Sequence, residues 1–358
     1  MNPGGGAWWA NRPVPCSRVA GGGRGRGRLL LARALLAALV FLVAAGLFYE
    51  RAARVGYNTD EGQAIWPSQY FQFVFLEGKV GSPVWDANYW TLTQVPVYRY
   101  IIGASIWAHG LSSGDVDLEH RIDEVSGPDR AKYLDPDTYR DERKLSEQRK
   151  VPRPPSDVLW AARVPMIVLG AGTAAMLFLV AADLAGGLTG LLAGLVAAAS
   201  FVAAPFVQTL IPRAHTEAPF LFFLLLALWL SIQAARAART ATGHDGWHRR
   251  SLVLGGLAGL ALGLSAGSKL TGVLALAGLG GFAAGAFGLA LLARRANLEN
   301  VVGPRAVLER AWRWSALGTV VGLLVFLAVN PFLWPNPLAR TGMMLQFRQQ
   351  EMLGQRTL

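Results

Sequence analysis

Charge is scarce in this 358-residue chain, and acid is scarcer still. Asp, Glu, Lys and Arg make up 16% of it and hydrophobic residues 53%, whereas about a quarter of an ordinary soluble domain is charged. Mean hydropathy is +0.32. Such a composition excludes a conventional water-soluble enzyme. Cysteine is represented by Cys16 alone, which excludes an intramolecular disulfide and a cysteine-based zinc cluster. Sixteen of the 23 acids fall within 51–157, so the rest of the chain sets seven acids against 21 Lys and Arg. The sequence is therefore two materials, a basic apolar bulk and one hydrophilic insert.

The net charge of +11 invites a nucleic-acid reading, because basic patches are the footprint of phosphate binding. The placement of the arginines argues for no nucleic acid. Outside the insert they stand in short clusters at the ends of apolar runs, where they orient a chain in a bilayer. Seven runs approach or meet the length of about 20 apolar residues that crosses the hydrocarbon core: 29–48, 164–182, 188–207, 218–235, 252–267, 270–293 and 316–333. The fifth and sixth abut at Ser268 and Lys269, and a lysine there fits a turn better than mid-bilayer. Arg24, Arg26 and Arg28 before the first run, with Arg33 in its first turns, resemble the basic region of a cleaved signal peptide. The run is long, however, and Tyr49, Glu50 and Arg51 do not look like a small-residue cleavage site, so a retained first helix is expected.

With the N-terminus in the cytoplasm, the inside connections hold fifteen basic residues against five outside, as the positive-inside rule requires. The expected organisation is an all-α polytopic membrane protein of about seven transmembrane helices in the plasma membrane. A basic Gly/Arg-rich tail occupies 1–28, a transmembrane domain 29–333 and an external tail 334–358. The domain includes a long external loop, 51–157. Its first part, 51–110, is aromatic-rich, with Trp66, Tyr70, Phe71, Trp85, Tyr98 and Trp107 among others. Such side chains favour the membrane interface, and interfacial helices are expected near 65–76 and 97–107. The second part, 111–157, is charged and Pro-containing and reads as a solvated loop of disorder-prone composition.

Ionisable groups near a bilayer are expensive, so each is a functional candidate. On this orientation Asp60, Glu61, Arg163, Arg213, His215, Glu217 and Lys269 all come to the external face from four separate connections. Each also has a plain reading. Asp60 and Glu61 follow Asn58 and Thr59 as in a helix cap, Glu217 suits a helix N-terminus, and Arg163 and Lys269 can snorkel to headgroups. His215 has no second His or Cys nearby to make a metal site. Taken together, carboxylates and cations at headgroup depth suit the displacement of a lipid-linked sugar phosphate. An acidic base takes the proton of an acceptor hydroxyl, and cations stabilise the departing phosphate.

Five segments carry a family resemblance. Tyr57-Asn58-Thr59-Asp60-Glu61-Gly62 resembles the Asp-Glu motif of the first external loop of GT-C class glycosyltransferases, especially the dolichyl-phosphate-mannose protein mannosyltransferases and aminoarabinose transferases. Gln94-Val95-Pro96-Val97-Tyr98 is similar to their juxtamembrane helix. Ala162-Arg163-Val164-Pro165 with Gly170 is similar to their Arg-led second helix, and Arg213-Ala214-His215-Thr216-Glu217 to the acidic position opening the fourth. Gly259 to Gly263 with Ser268-Lys269-Leu270-Thr271-Gly272 resembles their Gly-rich helix ending in Thr/Ser-Lys. Gln94 and Val95 stand where the family has His and its first Pro. Relatives also continue past the position of Trp334, so a shortened or minimal form is expected.

The resemblance implies an inverting transferase that takes its sugar from a polyprenyl-phosphate donor and passes it to an acceptor protein or lipid at the external face. Asp60 is the implied base and Glu61 its support. Arg163 and Lys269 hold the donor phosphate, and Arg213, Glu217 and Tyr98 line the cavity. No cofactor is required with certainty, and a divalent cation is left open. Against this stands a multi-span transporter or lipid flippase. That class predicts charges near helix midpoints and paired repeats, whereas the helix centres here are nearly free of charge. A scaffold displaying the charged loop is a third reading. Gly267-Ser268-Lys269 is not a nucleotide-binding loop, since it lacks the Gly-Lys-Ser/Thr order and a preceding strand. The four-residue spacing of Gly255, Gly259 and Gly263 points to helix packing.

Overall fold

The computed structural model describes residues 23–85, 89–112, 153–240, 246–295 and 302–356. The basic tail before residue 23 and the expected charged loop at 113–152 lie outside the described residues. Among those described, every regular element is helical. Helix α1 spans Gly23–Arg54 and is followed by α2 (Thr59–Ile65), which continues through a 3-10 turn (Trp66–Gln69) into a π-helical turn (Gln72–Leu76). Two short elements come next, α3 (Tyr89–Thr93) and α4 (Val97–Ala108). The long helices resume with α5 (Ser156–Ala185), α6 (Gly187–Ala203), α7 (Pro205–Leu210), α8 (Glu217–Thr240), α9 (Gly246–Ser268), α10 (Gly272–Arg295) and α11 (Val302–Ala328). The last helix is α12 (Pro337–Arg356).

Six of these are long and apolar enough to cross a membrane: α1, α5, α8, α9, α10 and α11. Their outward faces carry large apolar side chains that a soluble protein would bury, such as Leu35, Leu39 and Leu42 on α1 and Leu274, Leu289 and Leu292 on α10. Contiguous exposed apolar surface of this kind is covered by lipid, and the chain is a multi-pass helical membrane protein.

The third apolar run is not a single helix. Pro205 cannot donate to the preceding turn and pushes Ala204 into extended backbone (φ −63°, ψ 124°), as a residue before proline prefers. The result is the 17-residue α6 followed by the short α7. Elsewhere the expected punctuation holds. The chain turns at Lys269 between α9 and α10, and α4 coincides with the expected interfacial segment at 97–107.

Proline also sits inside α5. Pro165 lacks an N–H and so frees the carbonyl of Ala161, four residues back. Ser105 Oγ of α4 donates to that carbonyl at 2.7 Å. The proline thereby anchors α4 to α5.

Helices α9 and α11 meet through the expected glycines. A methyl group added to Gly259 would lie 2.1 Å from the backbone oxygen of Gly318, and one on Gly263 2.6 Å from that of Gly322. With no flexible side chain to yield, replacing Gly259 by alanine is expected to destabilise the fold by about 1–3 kcal/mol, the usual cost of overpacking. Gly278 of α10 has open space around its Cβ position, so Gly278→Ala is the control expected to leave the thermal midpoint in detergent unchanged or raised.

Successive long helices alternate in direction, which gives the bundle two distinct ends. At one, Asp183 of α5 accepts from Arg33 of α1 (2.9 Å) and from Trp229, Gln233 and Arg236 of α8 (2.9, 2.7 and 2.6 Å). At the other lie Arg163, the end of α1 and the starts of α2, α8 and α10. Twenty residues of α5 separate Arg163 from Asp183, about 30 Å at 1.5 Å per residue.

Candidate functional site

Local chemistry starts α2 at its observed place. Asn58 is extended (φ −116°, ψ 142°), its side chain accepts from Asp60 N, and Glu61 reaches back to Asn58 N at 3.2 Å, completing a capping box. The cap reading of Asn58-Thr59-Asp60-Glu61 is therefore correct, but Glu61 does more than cap. It is wholly buried. Its Oε1 accepts from Arg163 Nε (2.8 Å) and Ala214 N (3.1 Å), and its Oε2 from Arg163 Nη2 (2.7 Å) as well as Asn58 N. Four donors fill the acceptor sites of one carboxylate.

Arg163 is equally committed. Besides two bonds to Glu61, its Nη1 donates to the carbonyls of Ala52 (2.8 Å) and Val55 (3.1 Å), and its Nη2 to that of Gly56 (3.3 Å). These carbonyls close the C-terminal end of α1, where helical partners run out. All five guanidinium hydrogens are thus directed within the protein, and Arg163 has none left for the donor phosphate that the family resemblance implied for it. It is instead the clamp that joins α1, α2 and α5.

Asp60, next in the chain, faces the other way. Its side chain is 59% exposed, and its Oδ2 lies 3.9 Å from His215 Nε2. His215 Nδ1 lies 3.2 Å from Glu217 Oε2, and Lys269 Nζ donates to Glu217 Oε1 at 3.0 Å. Asp60, His215, Glu217 and Lys269 therefore form one chain of contacts across three connections. Glu217 opens α8 as expected, and Lys269 stands 6.0 Å above the Phe220 ring. The turn carrying His215 is held in register by the bond from Ala214 N to Glu61, so the buried pair positions the half-buried row.

Arg213, in the same turn, has a buried Nε without a hydrogen-bond partner. Together with Lys269 it supplies cationic hydrogens not fully used by the protein. Tyr98 is fully buried and its hydroxyl pairs with Gln94. Arg99 Nε donates to the same hydroxyl at 2.8 Å. Burial pushes the Tyr98 hydroxyl above its usual pKa, against the opposing charge of Arg99, and Glu217 and Arg348 lie near enough to act on it. Tyr98 is thus beside the row as packed support.

The sequence reading passed over three residues here. His215 was counted among the charged groups of the external face but given no role in the site, although its position two residues before Glu217 was the available signal. Arg99 is buried between the Tyr70 and Tyr98 rings. Arg348 reaches the Thr93 carbonyl from α12, a helix that the sequence did not reveal. Among the described residues no group of three or more His, Cys, Asp or Glu is arranged as a metal site. A cavity of about 160 Å³ between α1, α6 and α7 is lined by Leu47, Phe48, Glu50, Arg51, Arg54, Val202 and Gln208, none of them an expected site residue. No family model, no curated protein and no solved structure matches the chain.

Proposed function

We propose that the chain is a GT-C-like membrane glycosyltransferase that moves a sugar from a polyprenyl-phosphate donor to an acceptor hydroxyl with inversion. The observation that carries this reading is the row Asp60, His215, Glu217 and Lys269, delivered to one end of the bundle by three distant connections while the spanning helix centres stay free of charge. In this reading α6 completes a seven-span domain, the Asp183 end with its arginines faces the cytoplasm, and the Asp60 end faces outward at headgroup depth of the plasma membrane.

The reaction is a single displacement. The acceptor oxygen attacks the anomeric carbon as Asp60 takes its proton, and the bond from that carbon to the phosphate oxygen breaks on the opposite side. Arg213 and Lys269 face the departing phosphate and balance its charge. Glu61 and Arg163 contribute rigidity. A transporter would place ionisable groups along the helices, and the observed row lies at their ends.

The test is to reconstitute the full chain in liposomes with polyprenyl-phosphate mannose and a panel of other polyprenyl-phosphate hexoses and pentoses, and to measure released polyprenyl phosphate. Ser/Thr peptides and glycolipids are supplied together as acceptors, and because release accompanies transfer to any of their hydroxyls or to water, the readout does not depend on which acceptor is used. Release from at least one donor is expected, and consumption of none of them would defeat the proposal.

A further inference from the structure

We infer that His215 is a positioning residue behind Asp60 that receives the proton Asp60 takes from the acceptor. The inference rests on the transferase reading and adds to it a second half of the base. Glu217 Oε2 lies 3.2 Å from Nδ1, so the ring hydrogen is assigned there and Nε2 keeps its lone pair. Nε2 is buried without a hydrogen-bond partner and lies 3.9 Å from Asp60 Oδ2. Two proton acceptors face each other with room for one proton between them. Asp60 is exposed enough to rotate inward, and catalytic hydrogen bonds are often long before substrate arrives and tighten in the complex.

The proton balance is complete. The acceptor O–H bond breaks as its oxygen bonds the anomeric carbon, and the electron pair of the cleaved bond leaves with the phosphate. The proton passes to Asp60 and is then shared with or transferred to Nε2. The imidazolium formed lies against Glu217, whose other oxygen is held by Lys269 at 3.0 Å. A carboxylate that fixes a ring orientation and then steadies the charged ring is the arrangement by which acid–histidine pairs operate in unrelated enzymes. The buried Glu61 to Ala214 bond keeps the turn in place while this happens.

The experiment compares wild type, His215→Ala, His215→Gln and Asp60→Asn in the same liposome assay, with and without added imidazole, and records the thermal midpoint of each in detergent. His215→Ala is expected to lower kcat about 100-fold with donor KM within about twofold, as loss of a proton-transfer group does. Added imidazole is expected to restore at least about tenfold of that loss. His215→Gln keeps the size of the side chain without the proton acceptor and is expected to be as slow, with an unchanged midpoint. Asp60→Asn is expected not to respond to imidazole. Wild-type release with undiminished His215 variants overturns this inference and leaves the transferase reading standing. Loss without imidazole rescue, or loss confined to KM or accompanied by a fallen midpoint in both His215 variants, assigns His215 a structural task and also overturns it. Absence of wild-type release overturns the transferase reading and this inference with it.

Discussion

Glu61→Ala is expected to lower stability by about 3–5 kcal/mol, because it leaves the buried Arg163 guanidinium without its counter-charge. The side chains of the pair are 0% and 5% exposed, so water cannot replace the lost carboxylate. The same change strips a partner from Ala214 N and Asn58 N, loosening the turn before α8 and the start of α2. Arg163→Ala is expected to cost a similar amount through the opposite charge, and it also uncovers the last carbonyls of α1. Replacing both residues by apolar ones of like volume, Glu61→Leu with Arg163→Met, is expected to remove the unpaired charge yet stay well below wild type, because Ala214 N, Asn58 N and the carbonyls of Ala52, Val55 and Gly56 are left without partners. Thermal unfolding in detergent of the two single variants and the double variant measures the cycle. Single variants that melt with wild type would show that the pair is not what joins α1, α2 and α5.

The fold was legible where one physical signal dominates. Six spanning helices follow from uninterrupted apolar length, and the α9 to α10 turn follows from a lysine that hydrocarbon would not tolerate. That α4 is a separate short helix follows from an apolar stretch too short to span. The split between α6 and α7 was less visible, because hydropathy averages across Pro205 whereas the backbone does not. Helix α12 escaped notice for a related reason. Its burial rests on a few side chains such as Met344 and Phe347 set in a polar sequence with no long apolar run. At the site, residue types were readable and partnerships were not. Nothing in Ala162-Arg163-Val164 tells whether the guanidinium faces a ligand or the open carbonyls of Ala52, Val55 and Gly56. That choice depends on how α1 ends more than a hundred residues earlier. For His215 the nearness of Glu217 was readable, but the contact with Asp60 was not, since Asp60 comes from a different connection.

Asp60→Asn is expected to reduce polyprenyl-phosphate release by about 10²- to 10⁴-fold, the range that a positioned base contributes, while leaving the fold as it is. The second half of that expectation gives the experiment its power. The Asp60 side chain is 59% exposed, and its part in the helix cap is played by its backbone N–H, which donates to Asn58 Oδ1 at 3.3 Å and survives the substitution. Exposed substitutions of this kind shift stability by no more than about 0.5 kcal/mol. The asparagine keeps the size of the carboxylate and removes only its capacity to take a proton. Adjacent residues are thus expected to fail differently, Glu61 variants in stability and the Asp60 variant in turnover at a wild-type midpoint. Asp60→Glu retains a carboxylate one methylene farther out and is expected to keep part of the activity, because the partner His215 Nε2 lies 3.9 Å away and a longer side chain can still approach it. Undiminished release by Asp60→Asn would remove Asp60 as the base. Since Glu61 has all its acceptor sites occupied by Arg163, Ala214 and Asn58, the neighbouring carboxylate is not free to take over, and the proton would then have to leave through His215 or Glu217.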